Sequence, residues 1–217
     1  MGSRVVASMA LAGVLFARAT GEAQPVSAKN TWNADFSQLA RLGVEFSPNA
    51  FLRASVLGRR PGKALDIAMG QGRNSVMLAE QGWDVTGFDI SDVAIDQAIR
   101  ESRKRGLSLH ATVADIGTYD FGSEQFDLII AIYANEFARR ADDVVRALKP
   151  GGLLVVEGHH RDACPCGFGT NELLTGSQFW TGIAKRLTVI HYEDGLGRPD
   201  MTWTYPPKDF RFVRLVA

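Results

Sequence analysis

Apolar residues along the chain gather in short runs, at about 63–68, 83–89, 108–114, 126–132, 153–157, 187–192 and 210–216. Runs of this length, bounded by Gly, Pro or Asp, are the pattern of strands buried on both faces. Between them the spacing becomes helical. Ile95, Ala98 and Ile99 share one face of a helix predicted over about 92–105, opened by Ser91 and stopped by Gly106. Phe137, Ala141, Val144, Val145 and Leu148 do the same over about 136–148. A shorter helix is predicted from Asn74 to Gln81 with Gly82 after it, and a last one at roughly 171–184. Alternating strands and helices predict an α/β fold, a doubly wound and mostly parallel seven-stranded sheet covered on both faces. The last two runs have no helix between them, so they are expected to form a C-terminal antiparallel hairpin at one edge.

Ahead of the alternating part the pattern differs. Trp32, Phe36, Leu39, Leu42, Val44, Phe46, Phe51, Leu52 and Val56, broken by Pro48, predict two short helices over residues 30–57 that cover the edge of the domain. Residues 1–23 differ again: Arg4 precedes the uncharged run Val5–Ala17, and small residues recur at Ala17, Ala19, Gly21 and Ala23. That is the layout of a secretory signal, too short to span a bilayer stably; an N-terminal helix lying on the fold is the alternative. The chain thus divides into residues 1–23 and a single domain, 24–217, with a helical cap over 24–57 and a core over 60–217.

Composition narrows the partners. The 217 residues suffice for one full core, and 46% apolar with 22% charged residues is ordinary for a soluble globular protein. Lys plus Arg equals Asp plus Glu at 24 each, so no basic excess points to nucleic acid. Arg100, Arg103, Lys104 and Arg105 fall in the last turns of a predicted helix, where cations suit the dipole. The two cysteines, Cys164 and Cys166, are one residue apart, too close for an ordinary long-range disulfide. With His159 and His160 they could be read as a soft-metal site, but the spacing matches no zinc pattern, and no metal is expected.

The candidate chemistry lies where strands end. In Lys63-Ala64-Leu65-Asp66-Ile67-Ala68-Met69-Gly70-Gln71-Gly72-Arg73-Asn74 an apolar run carrying a lone acid breaks into two glycines, and a helix follows. Glycines at such a junction let a ligand approach the backbone, and a helix start offers unpaired N–H groups. Doubly wound sheets bind ligands beyond the C-terminal strand ends, where strand order reverses. Asp66, Asp89, Asp115, the Tyr133-Ala134-Asn135-Glu136 segment, and Glu157 with His159-His160 all fall at such ends. The acids after strands one, two and three form a ladder able to reach the amino acid, ribose and adenine ends of an adenosyl cofactor.

These segments, in this order, resemble the class I S-adenosylmethionine-dependent methyltransferases, whose fold is Rossmann-like. The family's acid-x-Gly-x-Gly-x-Gly motif is matched by Asp66 to Gly72, with Ala68 at the first glycine. The run Gly70-Gln71-Gly72-Arg73-Asn74-Ser75 is most similar to the small-molecule branch that includes tellurite-resistance-type enzymes. Thr86-Gly87-Phe88-Asp89-Ile90-Ser91, Ala114-Asp115-Ile116 and Leu148-Lys149-Pro150-Gly151-Gly152 resemble the ribose strand, the adenine segment and the turn before strand five.

The resemblance implies S-adenosyl-L-methionine as donor and S-adenosyl-L-homocysteine as product. Asp66 then faces the donor's ammonium; Gly70, Gly72 and the helix start at Asn74 receive the methionyl part. Asp89 takes the ribose hydroxyls, Asp115 the adenine amine, and Ile90 and Ile116 the ring faces. Alanine at position 68 is tolerated unless that residue needs φ > 0. His159, His160 and Tyr133 are the candidate bases should the nucleophile carry a proton. The variable regions 24–57, 133–137 and 158–180 mix aromatics (Trp32, Phe36, Phe51, Phe168, Phe179, Trp180) with few charges, which suits a small and fairly apolar acceptor such as a thiol, a soft anion or a phenol.

Two alternatives stand beside this reading. Gly70-x-Gly72-x-x-Ser75 with Asp89 approximates the fingerprint of an NAD(P)-dependent oxidoreductase, although an acid inside strand one and a terminal hairpin count against it. A non-catalytic binding protein on the same fold would suit an exported chain. The donor is a cytosolic metabolite, which favours the cytoplasm, while residues 1–23 point to export.

Overall fold

The computed structural model describes residues 27–44, 47–160, 183, 185–197 and 210–217. The signal-like residues 1–23, Cys164, Cys166, Phe168, Phe179, Trp180 and almost all of the helix expected at 171–184 lie outside the described residues.

Seven strands form one sheet: β1 (Lys63–Ile67), β2 (Asp84–Asp89), β3 (His110–Val113), β4 (Phe126–Ile132), β5 (Leu148–His159), β6 (His191–Gly197) and β7 (Phe210–Val216). Their order is β3-β2-β1-β4-β5-β7-β6, with β1 to β5 parallel and β7 antiparallel to both β5 and β6. The expected doubly wound sheet with a terminal hairpin is therefore present. Strand order reverses between β1 and β4, which puts the topological switch at the C-terminal ends of those two strands.

The central strands are apolar on both faces because both are covered. On one face α2 (Ala50–Val56) and α3 (Arg73–Glu80) bring Leu52, Val56, Met77 and Leu78 against Ala64, Val85, Leu128, Ile130 and Val155. Ile95 and Ala98 of α4 (Asp92–Lys104) pack on Met69, and α1 (Ala28–Arg41) lies against α4. On the other face Phe137, Ala141, Val144 and Ala147 meet Leu65, Ile67, Phe88, Ile129, Leu154 and Val156. The link from β3 to β4 is helix-free and covers that face with aromatic rings: Tyr119 stacks on Phe88 at 3.9 Å, and Phe121 meets both edge-on.

Several boundaries differ from those expected. The helix foreseen over 136–148 is two pieces, a 3-10 turn at Asn135–Arg140 and α5 at Ala141–Ala147. Phe137 N–H bonds back to Ala134 rather than a full α-turn, and Leu148 is already paired with Phe126 in the sheet. Strand five runs well beyond 153–157. The Lys149-Pro150-Gly151-Gly152 turn is an irregularity within it, where pairing jumps from Phe126↔Leu148 to Leu128↔Leu153. Its far end is extended by β7, through Gly158↔Val213 and His159↔Phe212. Strand three is shorter than 108–114. Strand six begins at His191 rather than at 187, because its pairing with β7 starts at His191↔Val216; Leu187 and Val189 pack on the core ahead of it.

Candidate active site

At the switch, the two central strands end on residues with left-handed backbone: Ala68 after β1 has φ 53° and Tyr133 after β4 has φ 59°. For residues with a Cβ this conformation costs about 1–2 kcal/mol, and such strain concentrates at functional sites. The expectation that alanine at 68 is innocuous is corrected here, since its one condition is met. Ala68 does need φ > 0.

Below Ala68, the Asp66 carboxylate is 2% exposed and its Oδ2 accepts a hydrogen bond from Ser75 Oγ at 2.6 Å. Burial pushes the Asp66 pKa up to about 7; the Ser75 bond and the Arg73 charge oppose that rise, and Asp89 adds to it. Asp66 is thus a group poised to change charge near neutrality, and a cation brought close would hold it ionised.

The glycine loop is fixed from below. Gly70 N–H donates to Asp89 Oδ2 at 2.9 Å, and Gly72 N–H to the Met69 carbonyl at 3.0 Å, so both amides serve the loop's own shape. Gly72 (φ +78°) is glycine for a second reason: a Cβ there would lie 2.8 Å from the Ala98 Cβ. Asp89 Oδ1 accepts from Ser91 N–H at 2.8 Å. Burial raises the Asp89 pKa, and N–H groups of Ser91, Gly70 and Ile90 oppose the rise. Asn74 is not open to a ligand through its carbonyl oxygen, which accepts from Asn49 N–H at 2.9 Å.

Asp115 follows β3 and folds onto its own turn, Oδ1 accepting from Gly117 N–H at 2.7 Å. Sequence reasoning missed what holds this turn. Arg140 reaches across from the 3-10 turn and donates to the carbonyls of Ile116 (3.0 Å), Gly117 (2.6 Å) and Tyr119 (3.3 Å). Ile90 and Ile116 are both half-buried beside their acids.

The roof is α1. Lys29 pairs with Asp92 at 2.7 Å, Asn33 Nδ2 donates to Asp92 at 2.8 Å, and Ser91 Oγ donates to Asn33 Oδ1 at 2.6 Å. These contacts seat Phe36 on the loop, where its ring would be 3.2 Å from a Cβ at Gly70.

On the β4–β5 side the structure brings two of the three candidate bases together and sends the third elsewhere. Tyr133 and His159 stack at 5.0 Å, with Phe212 5.3 Å from His159 and the Arg73 guanidinium 5.8 Å from the Tyr133 ring centre. His160, one residue on, points to the opposite face, as strand alternation requires. It is 8% exposed, with Nε2 3.9 Å from Asp194, which also pairs with Arg211.

A hydrogen-bonded hub centred on the strand-end acid Glu157 lies beneath Tyr133. Glu157, 2% exposed, accepts at Oε1 from Tyr133 Oη (2.7 Å) and Asn49 Nδ2 (2.8 Å), and at Oε2 from Arg214 Nε (2.6 Å). Burial works against the Arg214 charge, but its bonds to Glu157 and Glu193 outweigh that and raise its pKa. Among the described residues no cluster of His, Cys, Asp and Glu is arranged to hold a metal ion, and no helix is long and apolar enough to cross a membrane.

Residues 64–152 match the model of a family described as a methyltransferase domain. The chain is 29% identical over 150 residues to the probable S-adenosyl-L-methionine-dependent methyltransferase TehB of Haemophilus influenzae, a match covering 63% of this chain and 50% of that protein. It is 32% identical over 146 residues to the putative methyltransferase YqeM of Bacillus subtilis, covering 60% and 58%. The crystal structure of TehB from Haemophilus influenzae shares the fold, with a TM-score of 0.69 at 19% identity over 86% of this chain and 66% of that one. The chain spans about half the length of the curated relatives it matches.

Proposed function

We propose, for a chain whose residues 64–152 are a class I S-adenosylmethionine-dependent methyltransferase domain, that it moves a methyl group from S-adenosylmethionine to a small, fairly apolar acceptor beside Tyr133 and His159. One observation carries the reading. Asp66 and Asp89 are buried acids at the ends of adjacent parallel strands, and the loop between them is tied to Asp89 through Gly70 N–H.

The residues fit the donor. Neighbouring strands lie about 4.8 Å apart, so the ends of β1, β2 and β3 span roughly 10 Å, the scale of an adenosyl group with its amino acid tail. Asp66 offers charge to an ammonium. Asp89 accepts backbone N–H groups on both oxygens and retains acceptor capacity for the ribose hydroxyls. Ile90 and Ile116 supply apolar walls for the adenine, and the turn held by Arg140 fixes Asp115 beside them.

When bound, S-adenosylmethionine supplies an electrophilic methyl on a sulfonium, displaced in line by the acceptor's nucleophilic atom. The chain's part is position and dryness: Phe36 and α1 close the loop side, and the Tyr133–His159 stack forms the side from which a nucleophile approaches. Thiols, soft anions and phenols are the acceptor classes this lining suits. Donor availability favours the cytoplasm; N-terminal sequencing of the native protein after fractionation distinguishes this from export through residues 1–23.

Titration calorimetry tests the reading. Saturable binding of S-adenosylhomocysteine is expected, with loss of at least tenfold in Asp89→Ala, as removal of two charge-assisted hydrogen bonds predicts. NADH is expected not to bind. Saturable NADH binding without S-adenosylhomocysteine binding would replace this function with the oxidoreductase one. A panel of small acceptors, assayed for S-adenosylhomocysteine release, then identifies the acceptor class.

A further inference from the structure

Glu157 is a buried carboxylate near the C-terminal end of β5, and it engages Tyr133 at the phenolic oxygen. The Tyr133 Oη donates its only proton to Glu157 Oε1 at 2.7 Å. That carboxylate cannot drift: Arg214 holds Oε2, and Asn49 holds Oε1 while its own Oδ1 caps α2 by accepting Leu52 N–H at 2.8 Å. Asn49 N–H in turn donates to Asn74, three residues past the glycine loop's Gln71. One chain of hydrogen bonds thus runs from the start of α3 to the tyrosine hydroxyl, across the switch between β1 and β4.

We propose that Glu157 is a positioning residue for methyl transfer, acting through Tyr133, and that it makes the site select acceptors whose nucleophilic atom carries a proton. The inference rests on the methyl-transfer reading above. A phenolic hydroxyl has one donor, and here it is committed to the carboxylate, so any further partner of Oη must itself be a donor. An X–H acceptor satisfies this and is aligned by it. A bare anion meets only lone pairs. As the X–CH3 bond forms, the S–CH3 bond breaks and sulfur keeps the electron pair; the proton on X leaves to bulk water. Tyr133 accepts a hydrogen bond from that proton and is regenerated unchanged.

The test uses the full chain and its Tyr133→Phe, Glu157→Gln and doubly substituted variants. Phenol and 2-mercaptoethanol serve as protic acceptors and iodide as the bare soft anion, and calorimetry with S-adenosylhomocysteine reports the donor site separately. Each single substitution is expected to lower kcat/KM for the protic acceptors about tenfold, the worth of one hydrogen bond. The double variant is expected to lie within about twofold of Tyr133→Phe, because residues acting as a unit are not additive. Binding of S-adenosylhomocysteine should change by less than about twofold throughout, against that tenfold loss in turnover. Calorimetric titration of phenol into the S-adenosylhomocysteine complex should show weaker binding in Tyr133→Phe.

Losses that multiply in the double variant would reduce Glu157 to a structural role and overturn the proposal, as would faster turnover of iodide than of both protic acceptors. Binding of S-adenosylhomocysteine without turnover of any of the three sinks this proposal while the donor site stands; absence of that binding sinks both. Should Glu157→Gln fail to fold because Arg214 loses its partner, Tyr133→Phe decides alone. A loss confined to protic acceptors supports the proposal, and no loss refutes it.

Discussion

Asp66 carries the sharpest consequence at the scale of single residues. Its pKa of about 7 lies above that of an unfolded aspartate, so the folded protein binds more protons than the unfolded chain from about pH 4 to 7. Through this group alone, stability without ligand falls as pH rises across that window. Binding of a cationic ligand has the opposite sign, since it requires the carboxylate. Affinity for S-adenosylhomocysteine is expected to weaken by up to about tenfold per pH unit below 7, and Asp66→Asn should flatten that dependence in calorimetry at pH 6 and 8. Ala68 makes a second case. Ala68→Gly removes a left-handed alanine and, after the extra entropy of glycine in the unfolded chain, should stabilise the protein by about 1 kcal/mol in urea unfolding. Sequence alone placed Asp66, Asp89 and Asp115 at their strand ends, because strand ends follow from the apolar runs. It could not show that Ala68 needs positive φ, nor that Asn74 is occupied by Asn49, since both depend on a loop path that no local pattern encodes.

Elements were legible to the degree that their own residues determine them. Strands β1 and β4 carry strong apolar patterns and α4 has its own cap in Ser91, and these three appear where expected. Strand β6, His191–Gly197, is a polar edge strand defined by its pairing with β7, so its boundary could not be read from apolar spacing. Glu157 and Arg214 show the same limit. Sequence alone places Glu157 among the polar strand ends, and only the register Glu157↔Arg214 shows that Arg214 answers it. Packing between elements makes its own prediction. In Gly72→Ala the added methyl would meet Ala98 at 2.8 Å and impose left-handed strain at once, so α3 and α4 must separate. A loss of about 2 kcal/mol is expected, lowering Tm by roughly 5 °C in a chain of this length.

For the molecule as a whole, one sheet carries both halves of the proposed site, so ligand binding and global stability are linked. S-adenosylhomocysteine at a hundredfold excess over its Kd should add about 2.7 kcal/mol and raise Tm by roughly 5–10 °C, while NADH should leave it unchanged in the same thermal scan. The sheet order also bears on synthesis. Strand β7 follows β6 in the chain yet lies inside it, between β5 and β6. A nascent chain that has released β6 therefore has nowhere to attach it, and β5 presents an open edge to the crowded surroundings of the ribosome. During that interval Glu157 is without Arg214, and the hydrogen bond that orients Tyr133 lacks its anchor. Vectorial translation thereby orders the two events: the donor loop between β1 and β2 can be assembled early, and the acceptor side is completed only when β7 has emerged.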